Sequence, residues 1–309
     1  MYDIIGDIHG YAKTLEAILL KMGYWKNGST FGHPWRKVIF LGDFIDRGPS
    51  IRECLNIAKT MVDHGSALAG MGNHEYNAIC YHMRSGGGKR WLREHTEKNV
   101  EQHRATLLAF ENRESEWKDY LDWFMSLPLF LDLGNLRVVH AFWDDQTLAQ
   151  LSQRLNGKRL SSELIEQASD KDSEEYHWIE NILKGYEIQL PPGIVYSDKD
   201  GFVRGEIRIR WWKQLNNETY RSICVKDGHS LPEIIIPKNI IQTIPVYPSD
   251  APPVFIGHYW NTGKPGLLAH NVCCVDYSVA RGEKLVAYRW DGESRLTANN
   301  FVVQECLDI

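Results

Sequence analysis

The chain contains no Cys-x-x-Cys pair. Its six cysteines (Cys54, Cys80, Cys224, Cys273, Cys274, Cys306) are scattered through 309 residues, a pattern that excludes a zinc knuckle and fits the reduced thiols of a cytoplasmic protein better than a disulfide framework. No run of about 18 apolar residues occurs, so no membrane-spanning helix is expected. The opening Met1-Tyr2-Asp3-Ile4-Ile5-Gly6-Asp7 has no basic segment leading into an apolar one, and no signal peptide is expected. Charge of one sign is also scarce: Lys plus Arg, 35, less Asp plus Glu, 40, leaves −5. Such a chain has no global field with which to hold nucleic acid or an anionic membrane. Neither a solenoid-length repeat nor a low-complexity tract is present. What remains is ordinary for a soluble globular protein, with 43% hydrophobic and 24% charged residues. The length fits about two domains, or one large α/β domain with insertions. A chain of this size buries roughly three quarters of its unfolded surface and needs no staple to fold.

The first 75 residues repeat one pattern three times: a short β-rich run, a polar loop, an amphipathic helix. Strands are predicted at Tyr2 to Ile5, Lys37 to Leu41 and Ser66 to Ala69. Helical faces follow at Leu15/Ile18/Leu19/Met22 and Ile51/Leu55/Ala58/Val62, with a third helix beginning near Glu75. Strands alternating with helices imply a parallel sheet whose ligands sit beyond the carboxyl ends of its strands. Further along, Lys98 to Met125 reads as one helix, and Trp117, Tyr120, Leu121 and Phe124 at helical spacing read as core. Leu129 to Leu133 and Leu136 to His140 read as a hairpin around Gly134-Asn135. From about 145 to 250 the periodicity weakens, with helices near 162–184 and then a proline-rich stretch. This segment is read as an insertion or cap within a single domain spanning 1–309. Strand character returns at Val254 to Ile256, Val272 to Tyr277 and Leu285 to Trp290.

Three polar blocks stand at the three strand ends: Gly6-Asp7-Ile8-His9-Gly10, Gly42-Asp43-Phe44-Ile45-Asp46-Arg47-Gly48 and Gly72-Asn73-His74-Glu75. Each opens with a glycine that lets the chain turn out of the sheet. Asp7 and His9, two apart in an extended segment, would point the same way. His140 and His258 end two further strand candidates. Carboxylate, imidazole and amide oxygen suit divalent Mn, Fe, Co, Ni or Zn, and the absence of thiolates disfavours a structural zinc. One aspartate serving two ions would hold them about 3.5–4 Å apart, as two-metal hydrolases require. Two ions bring +4 against −2 from Asp7 and Asp43, leaving a cationic pocket suited to a phosphate dianion, and Arg47 can clamp phosphoryl oxygens.

With these blocks and the later histidines, the sequence resembles the calcineurin-like metallophosphoesterase superfamily, in the branch of the phosphoprotein phosphatases and symmetrical diadenosine tetraphosphatases. The motifs cover residues 6–75 densely, then His140, His258 and Asp276 singly. The resemblance implies an α/β fold: a β-sandwich of two mixed sheets flanked by helices. It implies two divalent metal ions, with manganese favoured, the first held by Asp7, His9 and Asp43 and the second by Asp43, Asn73, His140 and His258. It further implies that hydroxide on the metals attacks phosphorus, that His74 is the general acid oriented by Asp46, and that Arg47 binds phosphate. A second phosphate arginine is expected among Arg204, Arg208 and Arg210, with Arg208 favoured. The implied substrate is a phosphorylated small molecule, nucleotide or phosphoprotein. Two departures bear on substrate: Ala141-Phe142-Trp143 follows His140, where the family has small residues, and Tyr259-Trp260 follows His258, where a second histidine stands elsewhere in the superfamily.

The leading expectation is therefore a phosphatase, with a symmetrical dinucleoside tetraphosphate hydrolase as the alternative. A non-catalytic phosphate-binding scaffold and a nucleic-acid phosphodiesterase are the rivals from other classes. The scaffold predicts damaged ligands, and none is damaged. The phosphodiesterase would use Arg204 to Lys213, with Trp211-Trp212 as a stacking platform, although alternating Arg and Ile equally describes a strand with one wet face. His33, His64, His82, His95, His103, His177, His229 and His270 are read as surface or packing residues. The basic group Arg84, Lys89, Arg90, Arg93, Lys98 and Arg104 is read as a solvated face. Glu75, in the first turn of a helix, is left between dipole stabiliser and site residue.

Overall fold

The computed structural model describes residues 1–155, 159–197, 203–225 and 231–308. The predicted βαβ start forms as expected. Tyr2–Ile5 pairs in parallel with Lys37–Phe40, which pairs in parallel with Ala67–Ala69. The two connecting helices, α1 (Ala12–Lys21) and α2 (Ile51–Asp63), cover one face. On the other side of Tyr2–Ile5 the sheet continues with two antiparallel strands, Lys284–Trp290 and Phe301–Glu305, giving five strands in all. A second, four-stranded sheet runs Val272–Cys274, Val254–Ile256, Arg137–Val139, Phe130–Asp132. Its first two pairings are parallel and its last antiparallel.

The two mixed sheets pack face to face, which is the sandwich that the resemblance implied. Strand alternation sorts the side chains. Ile4, Ile39, Val138, Phe255, Cys273, Val286 and Tyr288 fill the space between the sheets. Ile5, Val38 and Phe40 point the other way, into the cluster built with Leu15, Ile18, Leu19, Leu55 and Ala58 of α1 and α2. The first turn of α1 is closed from the far end of the chain. Asp308 accepts from the backbone N–H of Lys13 and Thr14 and from the Thr14 hydroxyl, supplying partners that a helix start otherwise lacks.

The single helix expected over 98–125 is broken in two, whereas the helices expected near 162–184 form. The stretch 98–125 is α4 (Glu97–Ala109) and α5 (Glu114–Ser126), split by a turn in which Asn112 adopts φ 58°. The stretch 162–184 is α7 (Ser162–Gln167) and α8 (Glu174–Lys184), and the Ser173 hydroxyl caps the second by accepting from Tyr176 N. The third helix of the start, α3 (Asn73–His82), begins two residues before Glu75. Trp117, Tyr120 and Phe124 are buried in the core as expected. Helix α6 (Asp145–Arg154) and α8 pack in the large cluster through Leu148, Leu151, Ile179, Ile182 and Leu183. Residues from Ile188 to Ile244 gather a separate apolar cluster around Ile207, Ile209, Tyr220 and Ile223. Among the described residues no helix is long and apolar enough to cross a membrane, and all six cysteines are free and buried.

Candidate active site

Because the leading strands of both sheets are parallel, their carboxyl ends open on one edge. Asp7 and His9 follow Tyr2–Ile5, Asp43 to Arg47 follow Lys37–Phe40, and Asn73 to Glu75 start α3 after Ala67–Ala69. From the second sheet come His140, directly after Arg137–Val139, and His258, two residues after Val254–Ile256. The turns are tight. His9 (φ 49°), Asp43 (52°), Asp46 (67°), Arg47 (72°), His258 (66°) and Trp260 (52°) all adopt left-handed backbone, which costs a residue with a Cβ about 1–3 kcal/mol. The turn at His9, not the alternation of an extended strand, therefore aims His9 relative to Asp7. Two glycines admit the carboxylates. A Cβ on Gly72 would lie 2.2 Å from Asp43 Oδ1, and one on Gly257 would lie 2.1 Å from Asp7 Oδ1.

Asp43 is the hub. Its Oδ2 lies 3.4 Å from His140 Nε2, 3.6 Å from His9 Nε2 and 3.9 Å from His74 Nε2. Two groups of metal-binding type share it: Asp43 with His9 and His74, and Asp43 with His140 and His258. Asn73 Oδ1 completes the second group, 3.2 Å from His140 Nε2 and 2.8 Å from His258 Nδ1. The backbone fixes two of the rings. His9 Nδ1 donates to Ile45 O and His140 Nδ1 to Leu41 O, so both Nε2 lone pairs face Asp43, as in rings that bind metals. Asp7 accepts from His258 N through Oδ2, while its buried Oδ1 has no partner among the described residues. That orphaned oxygen, the nitrogen and oxygen donors and the absence of sulfur in the cage fit hard or borderline divalent ions. Asp7 stands against the cage but belongs to neither three-residue group, whereas His74 belongs to one.

A hydrogen-bonded chain lies behind the cage. His74 Nδ1 donates to Asp46 Oδ2 at 2.5 Å, and Asp46 Oδ1 accepts from His103 Nδ1 at 2.8 Å and from the Thr106 hydroxyl at 2.5 Å. Thr106 also accepts from Asp46 N. His103 and Thr106 are one helical turn apart on α4, so one face of that helix grips the carboxylate. His103, expected as a surface or packing residue, is instead part of this hydrogen-bonded chain, and Thr106 carries no sequence signal for it. Of the other histidines read so, His229 lies outside the described residues. Glu75 is fully buried and accepts from Gly72 N, Asp43 N and Phe44 N, tying the second and third blocks together. Asp276 accepts from Trp260 N and Ser278 N and thereby shapes the turn after His258.

Of these groups, Asp43, Asp46, Asn73, His74, His103 and His258 line a cleft of about 550 Å³. Arg47 stands at its mouth with its guanidinium over the Trp260 ring at 5.6 Å. Arg208 reaches in from the segment with the separate apolar cluster. It donates to His258 Nε2 at 3.1 Å and to Glu187 Oε1 at 2.8 Å. Arg204 also lines the cleft and Arg210 does not. The stacking platform expected from Trp211 is not formed. Trp211 is fully buried, its Nε1 donating to Ala141 O and the Tyr259 hydroxyl, because Ile207, Ile209 and Trp211 alternate into the interior and leave Arg208 on the wet face. The bulk of Phe142 is absorbed in the same way, with its ring edge-on to Trp211 in the core. Within the supposed solvated basic face, Arg93 and Lys98 instead line the cleft.

Burial opposes the charge of Asp43, yet the imidazoles of His140, His74 and His9 hold its carboxyl well below the usual carboxylate range. Burial, then Asp276, pushes Asp7 well up. Burial, then His74, lowers His9 to about 4 and leaves it a neutral donor ring. Against burial, Asp43 and Asp7 raise His140 to about 10. The carboxylate field that favours a proton there favours a divalent cation equally. Burial also opposes a charge on His74, but Asp43 and Asp46 raise it. Burial works against Asp46 as well, yet the bonds from His103 and His74 hold it ionised.

A family model described as calcineurin-like phosphoesterase matches residues 2–233. An asymmetrical bis(5′-nucleosyl)-tetraphosphatase of Oceanobacillus iheyensis is 29% identical over 158 residues, covering 51% of this chain and 59% of its own. The enzyme of the same name from a Geobacillus species is 31% identical, covering 45% and 56%. The match thus spans little more than half the length of these relatives, and both are named asymmetrical where the motifs had suggested the symmetrical kind. A solved protein serine/threonine phosphatase from Saccharomyces cerevisiae aligns with 98% of this chain and 78% of its own at 13% identity and a TM-score of 0.47.

Proposed function

The chain belongs to the calcineurin-like phosphoesterase family, and from that premise we propose that it is a dinuclear-metal phosphatase acting on phosphate esters. The observation that carries this reading is Asp43, which alone stands in both groups of metal-binding type. Asp7, His9 and Asp43 would hold one ion, and Asp43, Asn73, His140 and His258 the other, with manganese the favoured metal. Two such ions, when bound, supply Lewis acidity and a nucleophile at neutral pH. The chain's own side chains do the rest. Arg47 and Arg208, which both line the cleft, bind and orient phosphoryl oxygens. His74 carries a proton at Nε2 toward the leaving oxygen, and Asp46, gripped by His103 and Thr106, fixes the ring through Nδ1. Glu75 keeps the second and third blocks in register.

In the second reading, the substrate is a dinucleoside tetraphosphate. The volume of the cleft and its arginine and lysine lining favour it, as do the names of the relatives. We also propose a cytoplasmic location and a single domain over 1–309, with about 145–250 as the insertion that shapes the cleft wall. Metal-stripped protein restored with manganese should release phosphate from p-nitrophenyl phosphate or cleave diadenosine tetraphosphate, and Asp43→Asn should abolish either activity while the protein stays folded. Turnover of neither substrate by protein shown to hold two ions would defeat the proposal.

A further inference from the structure

The cleft has more cationic groups than a single phosphoryl group needs, and they are not equivalent. Arg208 is paired with Glu187 at 2.8 Å and Lys184 with Glu180. Arg93 is different. It is half-buried in the cleft wall, and its guanidinium donates only to neutral amide oxygens: Nη1 to Asn77 Oδ1 at 3.0 Å and Nη2 to Gln102 Oε1 at 2.9 Å. Among the described residues no carboxylate lies within ion-pair distance of it. A guanidinium has five N–H donors in a rigid fork. Two are used here, which leaves three on a side chain held fast at both ends. Burial pushes its pKa down from the ordinary value, and the fields of Cys80, Glu180 and Asp46, none of them bonded to the guanidinium, offset this only in part. Keeping a desolvated cation among neutral partners costs stability unless an anion completes the arrangement.

Its position says which anion. Asn73, Asn77 and Tyr81 fall at intervals of four along α3 and all line the cleft, so this face of the helix runs away from the metal cage along the cleft wall. Asn77 lies one turn beyond Asn73, about 6 Å along the helix axis. An anion on Arg93 would therefore sit beside the group being hydrolysed, not at the same point. We propose that Arg93, held by Asn77 and Gln102, forms a second anion subsite that takes the phosphoryl group next to the one hydrolysed, so that the substrate class is a compound with phosphoryl groups linked in series. The proposal rests on the phosphoesterase reading and deepens it.

The test compares AMP and ADP as inhibitors of p-nitrophenyl phosphate hydrolysis by the full chain, with free manganese held constant and metal content checked afterwards. The wild type should be inhibited by ADP at a concentration at least tenfold below that needed with AMP. Arg93→Gln should bring that ratio to within threefold of unity, and Arg93→Lys should keep most of it. Gln102→Met, which removes one holder and leaves the charge, should lower the ratio in part and gives a second reading if Arg93→Gln folds poorly. A ratio unchanged in Arg93→Gln, or AMP and ADP weakened by the same factor, would overturn the subsite. If the manganese-loaded wild type hydrolyses nothing, the phosphoesterase reading fails by itself, and calorimetric titration of AMP and ADP into that protein still decides the subsite.

Discussion

Replacing Asp46 with Asn probes the link between geometry and chemistry most directly. The carboxylate accepts two bonds on Oδ1, from His103 and Thr106, and one on Oδ2, from His74. An asparagine has one acceptor oxygen, and it will face the two donors on α4, turning its NH₂ toward His74 Nδ1. Two N–H groups cannot face each other, so His74 must place its proton on Nε2 alone. It then becomes a neutral ring whose remaining proton is a poor acid. The bond to His74 reverses and all three contacts lose the carboxylate charge, which should lower stability by about 1.5–3 kcal/mol, and Asp46 is in neither metal group, so metal content should not change. The chemical loss should be that of a general acid, about 10²–10⁴-fold, or about 2.7–5.4 kcal/mol of barrier. It should appear with phenyl phosphate, whose leaving oxygen needs a proton, and be much smaller with p-nitrophenyl phosphate. Rates on both substrates with the metal content verified provide the assay. An equal loss on both, with two ions still bound, would refute the role given to the Asp46–His74 pair.

Glu75→Ala leaves three buried backbone N–H groups without an acceptor, each worth about 1–3 kcal/mol. A urea titration should show a loss of about 3–9 kcal/mol, and a loss under 1 kcal/mol would contradict the assignment of Glu75 as the tie between blocks. Burial lowers His82 to about 4, below its value in an unfolded chain. The unfolded chain thus takes up a proton between pH 6.5 and 4 while the folded one does not, and stability must fall with pH across that window. His82→Phe should flatten that part of the stability–pH curve, and parallel curves would show that the ring titrates normally. All six cysteines are free and buried, with Cys80 pushed up to about 12 by burial. A thiol reagent should find almost none in the native protein and six after unfolding.

Much of this architecture is legible from residue order because its strands are short, apolar and buried on both faces. Tyr2–Ile5 and Lys37–Phe40 read as strands without knowledge of their partners, and a glycine after each marks where the polar block starts. The cage is legible for the same reason: Asp7, His9, Asp43, His140 and His258 belong to loops that follow a strand, and Asn73 opens the helix after another. His103 and Thr106 escape such reading because they lie in the middle of α4, 57 and 60 residues from Asp46, and only packing brings them together. The strand Phe301–Glu305 is an edge strand of half-buried residues, too weakly patterned to separate from a loop. The helix break near Asn112 is a matter of turn conformation, which periodicity does not register.

The six left-handed residues around the cage have a consequence for how this protein would respond to selection. At about 1–3 kcal/mol apiece, their combined cost is on the order of the whole net stability of an ordinary domain. Replacement by glycine at Arg47, whose side chain is exposed, would relax the chain and raise the melting temperature. A library screened for heat resistance alone would therefore enrich such changes and drift toward a sturdier, inert sandwich, so any thermostabilisation campaign must score turnover in parallel or spare these turns.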